Sequence, residues 1–512
     1  MTNLVELLKK LLRDVVLFVR YTNGLRLRRY QEAVARAIVH SVLHQQGRRF
    51  VIIFPRQSGK NELQAQIQVY FLTLLSGERC SIVQISPTWR PQTENAMFRL
   101  EEVLSKNLIL KDRWEKHHGH IYQVDQARLV FLSGSPGANI VGATANTLLS
   151  IDEAQDILID KYDKEIAPMA ASTNATRVFW GTAWTANTLL AREYEAAKAA
   201  QAKDGIQRVW RLSADQVAAE VPAYGKFVAE QVAKLGRHHP MVRTQYYSED
   251  IDADGGLFPP ERLARLKGEH PPLDHPQPGR LYVMTLDLAG EDETGSSLSQ
   301  ISSSAGGGNP ARDATGLTIA EVDLSGLKDA SPQLPVYRVV HRIKWVGIKH
   351  PALYEELLTI AKDWDVRGLV CDATGVGAGL TAFLRKALGN KVVPFTFNSR
   401  TKSDLGWAFL ALVDAGRLKD YHTDQPGSLL TLQREYFQQL AYCQYEIQPG
   451  PDKKIRWSVP DGTRDPASGA LIHDDLLISA AMLALLDEQT WSLSGPAVVV
   501  DAQDPLDDMK GF

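Results

Sequence analysis

From about residue 50 to residue 245 short apolar runs alternate with longer amphipathic stretches. VIIF (51–54) is followed by a helical spacing over 62–75, CSIVQIS (80–86) by a helix-like 92–105, and RLVFLSG (128–134), TLLSID (147–152) and RVFWGTA (177–183) come after. Runs of four to six apolar residues read as strands buried on both faces, and the intervening period near 3.6 reads as crossover helices. The pattern therefore predicts a parallel α/β sheet. Ahead of it, residues 1–47 carry helical spacing of Leu, Val and Ile, with Arg26, Arg28 and Arg29 forming a basic cluster or simply a solvated helix face. After it, residues 246–279 are rich in Pro, Gly and acids and read as an exposed linker. A second, β-rich α/β unit is expected over 280–490. Its predicted elements are YVMTLDL (282–288), TGLTIAEVDL (315–324), PVYRVVHRIKWV (335–346), a helix-like 352–364 and RGLVCDA (367–373). The Ser/Gly-rich 296–313 reads as a hairpin extension between its first two strands, and 491–512 as a tail.

Composition narrows this only a little. With 44% hydrophobic and 23% charged residues in 512, the chain can bury two or three domain-sized cores. A net charge of −3 excludes attraction to nucleic acid by overall charge but leaves local basic grooves open. Cys80, Cys371 and Cys443 are too few for a disulfide scaffold and too scattered for a CxxC zinc pair, which fits a reducing compartment. The apolar stretch 3–19 is broken by Glu6, Lys9, Lys10, Arg13 and Asp14, so it has neither a signal-peptide core nor a membrane span, and a cytoplasmic protein is expected.

Chemistry enters at RRFVIIFPRQSGKNE (48–62). A strand feeding backbone N–H groups into a helix start makes an anion cradle, and Lys60, after Gly59, can reach terminal phosphates. Phe54 stands where the general phosphate-loop pattern has its first glycine. The strand TLLSID then ends in Asp152 and Glu153, which can serve the magnesium side and the attacking water of ATP hydrolysis. Adjacent acids also suit a helix N-terminus, but the two motifs together favour ATP hydrolysis.

The second half supplies carboxylates. Asp287 lies within an apolar strand, where burial without a metal, a hydrogen-bond network or a cleft would be unfavourable. Asp372 ends another strand just before a glycine-rich turn. His473, Asp474 and Asp475 begin the apolar helix HDDLLISAAMLAL (473–485), as metal ligands or as caps. A strand Asp, a strand-end Asp and a helix-start Asp pair form a three-point constellation suited to two divalent ions in phosphodiester cleavage.

Taken in order, these motifs resemble the large terminase subunit of tailed bacteriophages, over about residues 31–485. The resemblance implies an N-terminal P-loop ATPase domain of the ASCE type with a parallel sheet (48–245), then a C-terminal RNase H-like nuclease domain with a mixed sheet. RQSGK (56–60) is similar to that family's deviant Walker A loop, so Arg56, Gln57, Ser58, Gly59, Lys60 and Asn61 would hold ATP, with Arg56 at the γ-phosphate. Asn61 departs from the usual Ser or Thr magnesium ligand. Tyr30–Gln31 resembles the adenine-recognition element, and RVFWGTAWTANT (177–188), with Gly181 and Thr182, the coupling motif. Val141 stands where relatives often carry a trans-acting arginine. Asp152 would bind Mg²⁺ and Glu153 activate water. Asp287, Asp372 and Asp474 would hold Mg²⁺ or Mn²⁺, with Asp475 as rival or auxiliary and Asp313 preferred over Asp292 for a further position.

Implied partners are double-stranded DNA, a portal protein, a small terminase subunit and further copies in a ring on the prohead, although an isolated chain can be monomeric. No membrane is implied. The implied location is the host cytoplasm, with transient residence at the portal and none in the mature virion. Lys344, Lys349, Arg385, Lys386, Arg400, Lys402, Lys453, Lys454 and Arg456 either line a DNA groove or are ordinary solvated residues. The competing functions are an ATP-dependent helicase/nuclease of DNA repair and a DNA-binding scaffold with a decayed ATP site.

Overall fold

A computed structural model describes residues 2–252, 254–289, 314–325, 334–448, 452–466, 468–489 and 491. The expected hairpin extension over 296–313, the candidates Asp292 and Asp313, and all of the tail except residue 491 lie outside the described residues.

The apolar runs of the first half become one eight-stranded sheet. Its strands are β1 (Arg49–Ile53), β2 (Ser81–Ser86), β3 (Glu115–His117), β4 (Ile121–Val124), β5 (Ala127–Ser133), β6 (Leu148–Ile151), β7 (Thr176–Gly181) and β8 (Val209–Arg211), in the order β3-β4-β5-β2-β6-β7-β1-β8. Six strands, β5 to β8 along that order, are parallel, and β3 and β4 add an antiparallel edge. β2 and β6 are buried along their whole length because helices cover both faces of this sheet, which is why they read as unbroken apolar runs. The phosphate-loop strand β1 and the acidic strand β6 are not neighbours, since β7 lies between them. This interposed strand is the ASCE arrangement. The helices Val15–Thr22 and Arg29–Leu43 bury Phe18, Val19, Val34 and Ile38 in the same core.

The connector expected over 246–279 is largely built into the second half. It supplies β9 (Asp254–Gly256) and the helix Pro260–Leu266, with Leu257, Phe258 and Leu266 buried in the core that also contains Phe409. Its Pro, Gly and acidic composition reflects turns and one ionic anchor rather than a free tether: Arg262 pairs with buried Asp414 at 2.7 Å.

The second sheet contains β10 (Tyr282–Asp287), β11 (Ala314–Asp323), β12 (Val336–Val346), β13 (Gly368–Asp372), β14 (Val392–Phe395) and β15 (Leu418–Lys419), ordered β14-β13-β10-β11-β12-β15. β10, β11 and β12 form an antiparallel meander, and β13 joins β10 in parallel, a mixed RNase H-like sheet. Strand alternation divides its faces. Tyr282, Met284 and Leu286 pack with Leu353, Leu357, Leu380 and Leu384 of two helices on one side. Val283 and Ala320 pack with Leu476, Leu477 and Phe409 on the other. A small sheet, β17-β16-β9, contains β16 (Gln444–Ile447) and β17 (Ile455–Ser458). Among the described residues no helix is long and apolar enough to cross a membrane.

Candidate functional site

After β1 the chain turns through Pro55–Gly59 into the helix Lys60–Leu74, whose first residue is the loop lysine. Gln57 and Gly59 have left-handed backbones, φ 59° and 91°, so the loop curls back above the strand end. A Cβ at Gly59 would be strained by the positive φ and would stand 2.7 Å from the Gln31 amide nitrogen, displacing the side chain that braces the loop. Tyr30 Oη donates to the Ser58 carbonyl at 2.8 Å, Arg28 donates to the same carbonyl at 2.7 Å, and Gln31 Nε2 donates to the Gly59 carbonyl at 3.0 Å. Gln31 Oε1 accepts the Arg28 N–H at 2.9 Å. The Tyr30–Gln31 element thus clamps the back of the loop, with both ends of the Gln31 amide engaged by backbone. Arg56 and Asn61 are exposed at the loop, while Ser58 is buried and donates to the Pro55 carbonyl at 2.7 Å.

Lys60 points across the sheet end to the acidic pair. It hydrogen-bonds Glu153 and lies 3.7 Å from Asp152 Oδ1. Burial works against the ammonium, but Glu153 and Asp152 outweigh it and hold the Lys60 pKa above its ordinary value. Burial likewise works against the Glu153 carboxylate, and Lys60 overcomes it, so Glu153 is held below the usual range. Burial dominates at Asp152 and raises its pKa, although Gln64 Nε2 donates to Oδ1 at 2.9 Å. Glu153 has φ 45°, an unusual conformation for a residue with a side chain, which lifts its carboxylate out of the strand line.

A residue passed over in the motifs links this centre to β7. Gln155 Nε2 donates to Glu153 Oε2 at 2.7 Å and to Asp156 at 3.1 Å, while its Oε1 accepts the Thr182 N–H at 3.2 Å. Glu153 and the chain just after β7 are therefore joined through one buried amide. The only signal in the sequence is its place two residues after Glu153, and that acquires meaning only once β6 and β7 are known to be neighbours. Val141, 74% exposed, sits far out on a loop and offers no charge.

In the second half the parallel register places Asp287 and Asp372 at adjacent strand ends, one step beyond the Leu286–Cys371 pair. Asp474 and Asp475 start the helix Asp475–Ala481, which is tied to the sheet by Ser479 Oγ donating to the Thr285 carbonyl at 3.0 Å and by Thr285 Oγ1 donating to the Ser479 carbonyl at 2.7 Å. Opposite Asp287 in the antiparallel register is Gly316, where a Cβ would stand 2.9 Å from the Asp475 carbonyl oxygen. The helix start can approach Asp287 because that position has no side chain.

Burial first, then repulsion from Asp475, Asp474 and Asp372, raises the Asp287 pKa well above the ordinary value. Asp372 is also raised by burial, although the Thr374 N–H donates to its Oδ1 at 2.8 Å. Lys402 lies 3.9 Å from Asp474 and Lys344 4.0 Å from Asp475. A cavity of about 410 Å³ opens here, lined by Asp287, His473, Asp474, Asp475 and Asp461, the last unremarked in the sequence motifs. Among the described residues no three His, Cys, Asp or Glu side chains are already drawn together as a ligand set. The donor chemistry nevertheless fits a divalent cation, because all-oxygen ligands suit Mg²⁺ or Mn²⁺ and the mutual repulsion around Asp287 is what positive charge would relieve.

Residues 311–439, about a quarter of the chain, match the family model of the Terminase RNaseH-like domain. That stretch begins before β11 and ends within the helix Ser428–Tyr442, so the likeness covers part of the second half. The large terminase of bacteriophage HK97 is similar over 92% of this chain and 99% of its own, at 15% identity and a TM-score of 0.39. That of the thermophilic bacteriophage D6E is similar over 90% of this chain and 98% of its own, at 12% identity and 0.47. The large terminase nuclease of the thermophilic phage G20c, solved with bound magnesium, covers 45% of this chain and 96% of its own, at 16% identity and 0.30. No curated protein matches. Of the basic residues of the second half, Lys402 and Lys344 face the aspartates, Arg400 lies 3.9 Å from Asp404, and Lys453 rests on Trp184 of the first half.

Proposed function

We propose that this chain is the large subunit of a viral DNA-packaging terminase, which hydrolyses ATP to move double-stranded DNA into a prohead and cuts concatemeric DNA in a divalent-metal-dependent reaction. The observation that carries the reading is the presence in one chain of two groups: Lys60 paired with Asp152 and Glu153 beside a phosphate loop, and Asp287 next to Asp372 at the end of a mixed sheet, with Asp474 and Asp475 near enough to repel it. The first arrangement argues against a decayed scaffold, since a buried lysine paired with buried Asp152 and half-buried Glu153 keeps costly charges where only use of the site compensates them.

For hydrolysis, the loop N–H groups and Lys60 would receive the phosphates, with Arg56 free to approach from the exposed side. A γ-phosphate competes with Glu153 for Lys60, and Glu153, released, would accept a proton from the attacking water while Gln155 keeps it oriented. Asp152, held by Gln64, and Asn61 would supply the oxygen ligands for the nucleotide's Mg²⁺. For cleavage, Asp287, Asp372, Asp474 and the auxiliary Asp475 would hold the ions, probed with Mg²⁺ or Mn²⁺. Such ions supply charge stabilisation and lower the pKa of bound water. The burial of Asp287 and the closeness of the helix start at Gly316 fix how near these oxygens can approach one another.

The reading extends to a portal protein and a small terminase subunit as partners, to a ring of copies on the prohead and to residence in the host cytoplasm. Steady-state ATP turnover and plasmid cleavage test it together. Lys60→Ala abolishes turnover and leaves Mg²⁺- or Mn²⁺-dependent cleavage, whereas Asp287→Ala does the reverse. Turnover independent of Lys60, or cleavage indifferent to Asp287, refutes the corresponding half.

A further inference from the structure

Lys453 belongs to the RNaseH-like half by sequence and to the ATPase centre by position. It precedes β17 in the hairpin with β16, where Gln448 N–H donates to the Lys454 carbonyl at 2.8 Å. Its backbone takes φ 51°, an uncommon left-handed conformation for a residue with a side chain. Two tryptophans surround it. Trp407 Nε1 donates to the Lys453 carbonyl at 3.1 Å, and the Lys453 ammonium lies 4.6 Å from the centre of the Trp184 ring. The two indoles themselves meet, with centres 6.3 Å apart.

Trp184 shares a cavity wall with Gln155 and Asp156, the amide and acid beside Glu153, and the field of the ammonium on Trp184 reaches Asp156 and Glu153, opposed by Arg56 and Lys60. Burial lowers the Lys453 pKa, and the two acids counter it. A cavity of about 540 Å³, lined among others by Gln155, Asp156, Trp184, Ile447 and Gln448, lies along the same seam, so the contact has room to shift.

We propose that Lys453 is a positioning cation of the ATPase centre, delivered from the nuclease half to the flank of Glu153 and Asp156, so that the attitude of the nuclease half sets the rate of ATP hydrolysis. The inference rests on the ATPase reading above. Its logic is electrostatic. Glu153 is counterbalanced chiefly by Lys60, and a phosphate on the loop competes for that lysine. Lys453 then remains as the positive charge on the far side of Gln155 and Asp156, favouring the attitude of Glu153 turned toward the water. Glu153 is also joined to the coupling segment through Gln155 and Thr182, and Trp184, two residues further on, is the surface on which Lys453 rests. A rotation of the nuclease half would carry Trp407 and Lys453 together and withdraw the cation.

The test is steady-state ATP hydrolysis by the full chain and by Lys453→Met, Lys453→Gln and Lys453→Arg, with Lys60→Ala as the control. The neutral variants are expected to lose about tenfold in kcat while KM for ATP moves less than about threefold, and Lys453→Arg to recover most of the rate, with unchanged melting temperatures. Neutral variants with wild-type kcat, a loss confined to KM, or failure of Lys453→Arg to recover would overturn the inference and leave the ATPase reading standing. Absence of any Lys60-dependent turnover in the unaltered chain would instead remove the ATPase reading and this inference with it.

Discussion

Gln155 shows how much of this chemistry depends on single amides. Its side chain touches both the Glu153 carboxylate and the Thr182 N–H, so with Lys60 it sets the direction in which Glu153 points, and it satisfies a buried backbone donor. Gln155→Ala therefore has two separable effects. The orphaned Thr182 N–H lowers stability by about 1–3 kcal/mol, readable in a denaturant midpoint. The disoriented Glu153 lowers kcat by about tenfold or more, while nucleotide affinity, governed by the loop, stays within about threefold. A variant with unaltered kcat would show that Glu153 needs no such support. The charged residues of the site were legible in the sequence because Asp152, Glu153 and Asp287 end or break apolar runs where only function or a partner compensates burial, and because Lys60 follows a strand and a glycine turn at a helix start. The amides were not, since Gln31, Gln64 and Gln155 disturb no hydrophobic pattern and show their roles only through contacts between distant segments.

At the level of elements, the nuclease centre is made by the approach of one short helix to a sheet. Gly316 is the point of contact: it faces Asp287 across the antiparallel ladder and lies under the Asp475 carbonyl. Gly316→Ala inserts a methyl group 2.9 Å from a backbone oxygen, so the helix start must shift rather than a flexible side chain yield. The expected outcome is a loss of roughly 1–3 kcal/mol in unfolding free energy and a fall in plasmid cleavage, with ATP turnover unaffected. Retained cleavage would show that the aspartates tolerate a looser helix. Strands and their order differed in legibility for a physical reason. An apolar run announces burial on its own, as β2, β6, β10 and β13 did, but neighbours are chosen by crossovers, and neither the insertion of β7 between β1 and β6 nor the capture of β9 by β16 leaves a local trace.

Across the whole molecule the two halves meet at Trp407, which packs on Trp184 from one side and on His239 from the other. His239 is 2% exposed and caps the helix Pro240–Gln245. Its Nδ1 accepts the Met241 N–H at 3.2 Å, which requires a neutral ring, and Nε2 then donates to the Trp407 carbonyl at 3.1 Å. Burial, assisted by the Arg262 guanidinium and opposed by the Trp407 carbonyl and Asp414, pulls the His239 pKa down from 6.5 to about 4. Above about pH 6.5 the ring is neutral folded or unfolded and adds no pH dependence. Between about 6.5 and 4 the unfolded chain binds a proton that the folded one refuses, so stability falls as pH falls, by on the order of 3 kcal/mol when the folded ring finally protonates. Protonation there removes the acceptor that caps the helix and places a cation in the seam between the halves. Urea unfolding at pH 7.5 and pH 5 measures this directly. The unaltered chain should lose more stability on acidification than His239→Gln, which keeps a polar group in place but cannot titrate. Parallel losses in the two proteins would mean that the acid sensitivity lies elsewhere and that the seam is indifferent to the charge on this ring.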